Sequence, residues 1–285
     1  MLNTGVSALF LNVLNLRRLA MGMKAIFFDV DGTLIDCANG MNYALDSTKE
    51  AIKKIRNNGD LAVLATGRPK SFLYEEITKL GFDAYITSNG AYIEFDGKAI
   101  YNRTIDKKTV EEVISMCRKE NMDYVFEGQE LSYFSNLNSE YIKQLLRVFS
   151  LQNRCLTDTV DSKDIAANKM VLIFNNERQK ELSIELLQDN FSFMRHPGQN
   201  SYDIYFKDCT KADGIRRFVD YLNINMEDTL AFGDGINDIE MIQTVGYGIA
   251  MGNATEKLKK VARLVTDDVF SNGIYNALIA LQLIS

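Results

Sequence analysis

The stretch Lys24-Ala-Ile-Phe-Phe-Asp29-Val-Asp31-Gly-Thr33 runs from consecutive apolar residues straight into two carboxylates and a glycine. A short apolar run without alternation reads as a strand buried on both faces of a parallel sheet, and the Asp-x-Asp-Gly after it reads as the loop at its carboxyl end. The residues downstream repeat the theme. Ser47 to Asn57 carries Ala51, Ile52 and Ile55 at helical spacing, and Gly59 ends it. Leu61-Ala-Val-Leu-Ala65 is a second apolar strand, broken by Gly67. Leu73 to Leu80 reads as a helix stopped by Gly81, and Ala84-Tyr-Ile-Thr87 as a third strand. Strand, helix, strand, helix, strand is the signature of an open parallel sheet with crossover helices. The same pattern resumes late in the chain: helix Lys211–Leu222, strand Thr229–Gly233, helix Ile236–Thr244 and strand Tyr247–Met251.

The middle is less regular. Ala91 to Phe95, Asp96-Gly97 and Lys98 to Tyr101 predict a β-hairpin with an Asp-Gly turn. Thr109–Asn121 and Glu177–Leu187 are amphipathic helices, and a further helix ends near Leu145. Strands are expected at Tyr124–Glu127, Leu131–Phe134, Met170–Phe174, Phe191–Met194 and Ser201–Phe206, with Tyr124, Phe126, Tyr133 and Phe134 mostly in the core. Pro197-Gly198 is the clearest turn signal near a boundary. The predicted fold is α/β: a Rossmann-like, doubly wound parallel-sheet core with an inserted α+β domain. The core comprises 23–84 and 201–285, and the insertion 85–200. Residues 1–22 read as an extension outside the fold. Their weakly apolar run Val6–Leu16 precedes Arg17-Arg18, the reverse of a signal peptide's charge order.

Composition narrows the chemistry. Among 285 residues, 32 are basic and 38 acidic, giving −6, with the signs interspersed. Such a surface does not suit a sequence-independent grip on nucleic acid, and no run of about 18 apolar residues exists to span a membrane. Cys37, Cys117, Cys155 and Cys209 are too scattered for a zinc site and read as reduced thiols in a cytoplasmic protein. His196 is the one histidine, so a histidine-based hydrolase would depend on it alone; it is expected on the surface or packed. Carboxylates, lysine and hydroxyls are left to carry catalysis.

In parallel sheets ligands bind beyond the carboxyl ends of the strands. Four features collect there: Asp29-Val-Asp31-Gly-Thr33, Thr66-Gly67-Arg68, Lys211, and Gly233-Asp234-Gly-Ile-Asn237-Asp238. Several carboxylates at one point repel one another unless a cation joins them, and an all-oxygen site suits Mg²⁺. A hydroxyl, a lysine and glycine-exposed amides are what a cluster of anionic oxygens needs. Carboxylate nucleophile, metal and lysine together describe phosphoryl transfer through an aspartyl-phosphate.

With these motifs in this order, the chain from Lys24 onward resembles the haloacid dehalogenase superfamily, specifically its Cof-type phosphatases with a large α/β cap. Thr87-Ser-Asn-Gly-Ala91 and Ala250-Met-Gly-Asn-Ala254 match stretches that recur in that group. The resemblance implies that Asp29 is the nucleophile and that Asp31 protonates the leaving oxygen and then activates water. It implies that Asp29, the Asp31 carbonyl and Asp234 hold Mg²⁺. Thr66 and Lys211 would bind the phosphoryl oxygens, Gly67, Arg68 and Asn237 would also meet phosphate or substrate, and Asp238 would orient Lys211 or a metal-bound water. Two departures stand out: Ala212 follows the lysine where the group often has glycine, and Phe270-Ser-Asn-Gly273 lacks the usual acidic residue before its glycine. The implied activity is a Mg²⁺-dependent phosphatase of small phosphorylated metabolites, such as sugar phosphates, flavin mononucleotide or pyridoxal phosphate, in a monomer or weak homodimer. The cap is expected to open and close about linkers near 85 and 200. A phosphomutase of the phosphomannomutase type and a non-catalytic phospholigand-binding protein are the competing readings.

Overall fold

The computed structural model describes residues 22–148, 156–158, 161–196 and 198–285. Residues 1–21 of the expected extension, Cys155 and Pro197 lie outside the described residues. The chain begins with β1 (Ala25–Phe28), β2 (Leu61–Ala65), β3 (Ala84–Thr87), β4 (Tyr92–Phe95) and β5 (Lys98–Asn102). It continues through β6 (Tyr124–Glu127), β7 (Ser132–Phe134), β8 (Leu156–Thr157), β9 (Lys169–Ile173), β10 (Phe191–Arg195) and β11 (Ser201–Phe206). It ends with β12 (Thr229–Gly233), β13 (Tyr247–Ala250) and β14 (Leu264–Val265).

These strands form two sheets. The first has the order β14-β13-β12-β1-β2-β3-β4-β5, parallel from β14 to β3 and antiparallel in the β4–β5 hairpin. β1 is buried at all four positions, so both faces need apolar side chains and the sequence shows no alternation. Ile26 and Phe28 pack under the helices Asp46–Asn57 and Gly273–Ala280, while Ala25 and Phe27 pack under Lys211–Leu222 and Ile239–Thr244. The chain leaves β1 toward β2 on one side and returns as β12 on the other. The crevice outside this reversal is where an open parallel sheet binds its ligand.

The second sheet, β10-β11-β9-β6-β7-β8, belongs to the cap. The helices Lys107–Glu120 and Glu177–Leu187 cover one face, through Val110, Val113, Ile114 and Leu187 against Phe126, Met170, Leu172 and Ile204. Ile142 and Leu145 of the helix Glu140–Val148 cover part of the other. Phe126, Tyr133 and Phe134 are buried, as their strand spacing indicates.

Sheet membership moves both expected boundaries. The Asp96-Gly97 hairpin pairs back on β3 and extends the first sheet, so the chain leaves that sheet after Asn102, not at 85. Ser201–Phe206 pairs with β9 and β10 and buries Ile204 and Phe206 in the cap, so the return follows Phe206, not 200. Two helices are also shorter than predicted. Of Leu73–Leu80 only Glu75–Thr78 is α-helical, behind a 3₁₀ turn at Lys70–Phe72, where the Phe72 carbonyl accepts from Arg68. Ile236–Thr244 opens with a 3₁₀ turn before Ile239–Thr244. Among the described residues no helix is long and apolar enough to cross a membrane.

Candidate active site

Asp29 immediately follows β1, Thr66 follows β2 and Asp234 follows β12, so three neighbouring strands deliver them to one edge. Lys211 begins its helix behind the N-cap Thr210, whose side chain and Asp213 satisfy each other's backbone amides. That helix lies against the turn Ser88–Gly90 almost backbone to backbone: a Cβ on Gly90 would stand 2.4 Å from the Thr210 carbonyl oxygen. The close approach presses Lys211 into the sheet edge, where it is 1% exposed.

The Lys211 ammonium donates to Asp29 at 2.5 Å and to Asp238 at 2.6 Å. The other Asp238 oxygen accepts from the Asp234 and Gly235 amides, both at 3.0 Å. Asp238 therefore fixes the lysine and the turn that carries Asp234. Burial disfavours the Lys211 charge, but Asp238 and Asp29 more than offset it and hold its pKa above the usual lysine range. Burial, then the Asp238, Asp234 and Asp31 charges, push Asp29 well above the ordinary carboxylate value against the pull of Lys211.

Asp234 accepts from the Thr33 hydroxyl at 3.1 Å. Its carboxylate lies directly over Gly32, whose φ is +84° and where an added Cβ would stand 2.1 Å from an Asp234 oxygen. Asn253, in the Ala250–Ala254 stretch, donates to the Gly32 carbonyl at 2.7 Å and so braces this loop. Burial and Asp238 raise Asp234 to about 7. Asp29, Asp234 and Asp238 each offer a carboxylate oxygen, and these lie within 4.8 Å of one another. Because Asp238 is already engaged at both oxygens, Asp29 and Asp234 are the pair with capacity for a cation. Two mutually repelling carboxylates with oxygen-only donors fit a hard divalent ion.

Gly32→Ala tests this cradle. The substitution forces an L-residue into the left-handed region at about 1–2 kcal/mol and displaces Asp234. A lower melting temperature is expected, with the Mg²⁺ concentration for half-maximal activity rising about tenfold or more. An unchanged Mg²⁺ titration would remove Asp234 from the cation site.

The other predicted site residues differ in what they contact. The Arg68 guanidinium is buried and clamps Asp31 from two nitrogens, Nε to Oδ2 at 2.8 Å and Nη2 to Oδ1 at 2.6 Å, while Asp31 itself is half exposed. Arg68, expected among the phosphate-binding groups, is paired with Asp31 in this structure. Thr66 is buried and its hydroxyl accepts from the Arg68 amide at 3.1 Å. Asn237 is exposed and, with Lys211, lines a cavity of about 330 Å³ to which Met194 and Tyr205 of the cap also contribute. Sequence reasoning missed Gln129. Its side chain accepts from Thr87 at 2.8 Å and the Lys70 amide at 3.2 Å and donates to Ser88 at 3.2 Å and Asn168 at 2.7 Å, tying cap to core.

With this geometry established, comparison with known proteins settles the family. A family model for haloacid dehalogenase-like hydrolases matches residues 26–278. The chain belongs to that family. The phosphatase YwpJ of Bacillus subtilis is 27% identical over 86% of this chain and 94% of its own. Among solved structures, a hypothetical protein from Geobacillus kaustophilus superposes with a TM-score of 0.82 at 32% identity, covering 92% of this chain and all of that one. The subclass IIB sugar phosphatase BT4131 does so with a TM-score of 0.76 at 27% identity, over 92% of this chain and all of its own. The core-and-cap architecture is that of subclass IIB, and the activity that goes with this membership is that of a phosphatase.

Proposed function

We propose that the chain is a Mg²⁺-dependent phosphatase of small phosphorylated metabolites that works through an aspartyl-phosphate. The observation that carries this reading is the buried series Asp29–Lys211–Asp238 at the carboxyl end of β1, with Asp234 beside it. An Asp29 oxygen bonds to phosphorus as the bond from phosphorus to the leaving oxygen breaks in line. Asp31 supplies the proton to that oxygen. It then takes a proton from the water that attacks the aspartyl-phosphate, releasing inorganic phosphate and restoring Asp29. Lys211 and the Thr66 hydroxyl hold the phosphoryl oxygens, where a fixed donor stabilises developing charge at no cost in reorganisation. Asp238 keeps Lys211 in place, Arg68 keeps Asp31 in place, and Asn237 faces the phosphate from the cavity rim.

Asp29, Asp234 and the Asp31 carbonyl would hold Mg²⁺, which when bound offsets the charge shared by the two carboxylates and the phosphoryl oxygens. The substrate is a small phosphate ester, and the cap roof over the cavity favours metabolites over phosphoproteins. A cytoplasmic setting belongs to the same reading and is supported by the free thiols of Cys37, Cys117 and Cys209.

The test is phosphate release from p-nitrophenyl phosphate. Turnover is expected with Mg²⁺, with a loss of about a hundredfold or more in EDTA that added Mg²⁺ reverses. Turnover indifferent to EDTA would overturn the cation's part in the reading.

A further inference from the structure

The turn between β6 and β7, Gly128-Gln129-Glu130, brings one cap side chain into the core. A Cβ on Gly128 would stand 2.3 Å from the Ala166 carbonyl oxygen and 2.6 Å from that of Leu131, so the turn is seated against the cap's own backbone and takes only glycine there. Gln129 beside it uses its whole amide. The Thr87 hydroxyl and the Lys70 amide meet its oxygen, and its nitrogen donates to Ser88 and Asn168. Asn168 carries the contact further, donating to the Asn102 side chain and the Arg103 carbonyl, both at 2.8 Å, where the chain leaves the first sheet. Thr87, Ser88 and Asn168 are buried. A buried polar network whose members are satisfied specifies a single arrangement.

The core end of this network is a strained turn. Ser88, Asn89 and Gly90 have φ of +51°, +55° and +86°, in the left-handed region, and two of the three are not glycine. Such backbone persists where its surroundings fix it. The amides of this turn reach back to the loop after β2: Ser88 donates to the Arg68 carbonyl at 2.9 Å and Asn89 to the Thr66 carbonyl at 3.1 Å. Thr66 has a further anchor of its own, since its amide donates to the Ile86 carbonyl at 2.9 Å and continues the β2–β3 ladder.

From Gly67 onward the cap takes over. Lys169 Nζ donates to the Gly67 carbonyl at 3.2 Å, Gln129 accepts from the Lys70 amide, and the Ser71 hydroxyl donates to the Gly128 carbonyl at 2.7 Å. Phe72 packs among Val125, Phe134 and Val171 of the cap. Arg68 lies inside this grip, with its carbonyl on Ser88 and the amide two residues later on Gln129. Its guanidinium meets Asp31 through two bonds. A two-point pair of guanidinium and carboxylate fixes direction as well as distance, so a displaced Arg68 backbone carries the carboxylate with it.

We propose that Gln129 is a positioning residue for Asp31. By fixing Ser88 and Lys70 it sets the backbone of Arg68, and through Arg68 it places the acid that protonates the leaving oxygen. The inference rests on the phosphatase reading for the part played by Asp31, and it adds that this acid is set in place from the cap. Thr66, tied into the β2–β3 ladder, does not depend on Gln129 in the same way, so the effect falls on departure of the leaving group more than on the grip on phosphate.

The experiment compares two kinds of ester in the full chain carrying Gln129→Met, which keeps the length of the side chain and loses its four bonds. The p-nitrophenolate anion leaves with little help from an acid, whereas an alkoxide needs the proton. The aliphatic ester is whichever of glycerol 2-phosphate, glucose 6-phosphate and phosphoglycolate the unmutated chain hydrolyses fastest. The quantity is kcat/KM, which covers the steps up to departure of the leaving group. It is expected to fall about thirtyfold on the aliphatic ester and about threefold or less on p-nitrophenyl phosphate. Ser88→Ala, which trims only the hydroxyl that Gln129 reaches, should act in the same direction with a smaller loss. In a chain already carrying Asp31→Asn, Gln129→Met should bring no further discrimination between the esters. Equal losses on both esters, or discrimination that persists without Asp31, would overturn the positioning role while the phosphatase reading stands. An unmutated chain that releases phosphate from none of these esters would sink the phosphatase reading, and the positioning role with it.

Discussion

Asp29→Asn is expected to lower kcat on p-nitrophenyl phosphate by about a thousandfold or more while leaving the melting temperature equal or higher. The two halves of that result have one cause. Asp29 is 5% exposed and crowded by Asp234 and Asp238, with carboxylate oxygens within 4.8 Å. A carboxylate there is held against burial and repulsion, with the Lys211 ammonium in its favour. The amide keeps the shape, removes the charge, and cannot be turned over as an aspartyl-phosphate. Sites of this kind trade stability for reactivity, and removing the reactive group commonly stabilises. Steady-state kinetics beside a thermal melt reads both halves. Activity above roughly one per cent in the variant would mean that another group attacks phosphorus.

Lys211→Met is expected to do the opposite to stability. The methionine fills a similar volume but leaves Asp29 and Asp238, 5% and 0% exposed, without the cation that both contact. Breaking a buried charge pair by removing one partner costs about 3–5 kcal/mol, because the remaining charge is stranded. Asp238 retains the Asp234 and Gly235 amides, so the larger share of the penalty falls on Asp29. With Lys211 in its proposed role as a donor to the phosphoryl oxygens, a fall in kcat of about 10²–10³-fold is expected as well. Urea unfolding followed by circular dichroism measures the first effect and phosphate release the second. A shift below about 1 kcal/mol would show that solvent or rearrangement rescues the carboxylates. Combining Lys211→Met with Asp29→Asn should recover much of the lost stability and none of the activity.

What the sequence made legible is what depends on local pattern. β1, β2 and β12 are apolar throughout because both faces are buried, and each is followed at once by its polar residue, so the fold and the edge where Asp29, Thr66 and Asp234 collect are legible together. The boundaries were misread because a hairpin carries no mark of the sheet it joins. Tyr92–Asn102 and Ser201–Phe206 have strand patterns that fit either sheet, and only their pairing decides. Arg68 shows a similar limit: its place after Thr66 and Gly67 does not reveal that it crosses the loop to pair with Asp31, which depends on three dimensions. Lys169, Glu127 and Asp203 were open to a closer reading, since a charge at a strand position that should face a core is a signal. Their meeting as a buried ion-paired cluster on one face of the cap sheet requires the register of three strands, β6, β9 and β11.

The order of synthesis gives the sheet reversal at β1 a further meaning. Thr33 and Asp234, which touch, are separated by 201 residues of chain. As the polypeptide emerges, β1 gains β2 early, but its other edge waits for Thr229–Gly233. The cap strands, by contrast, lie in one continuous segment that is made in between and can pair among themselves before β12 exists. For that interval the nascent core presents a fully apolar strand with an open hydrogen-bonding edge, the kind of surface that recruits other chains. The polar residues at the carboxyl ends of β1, β2 and β12 are thus the last part of the protein to meet, and no shortened product of translation ending before β12 can hold them together.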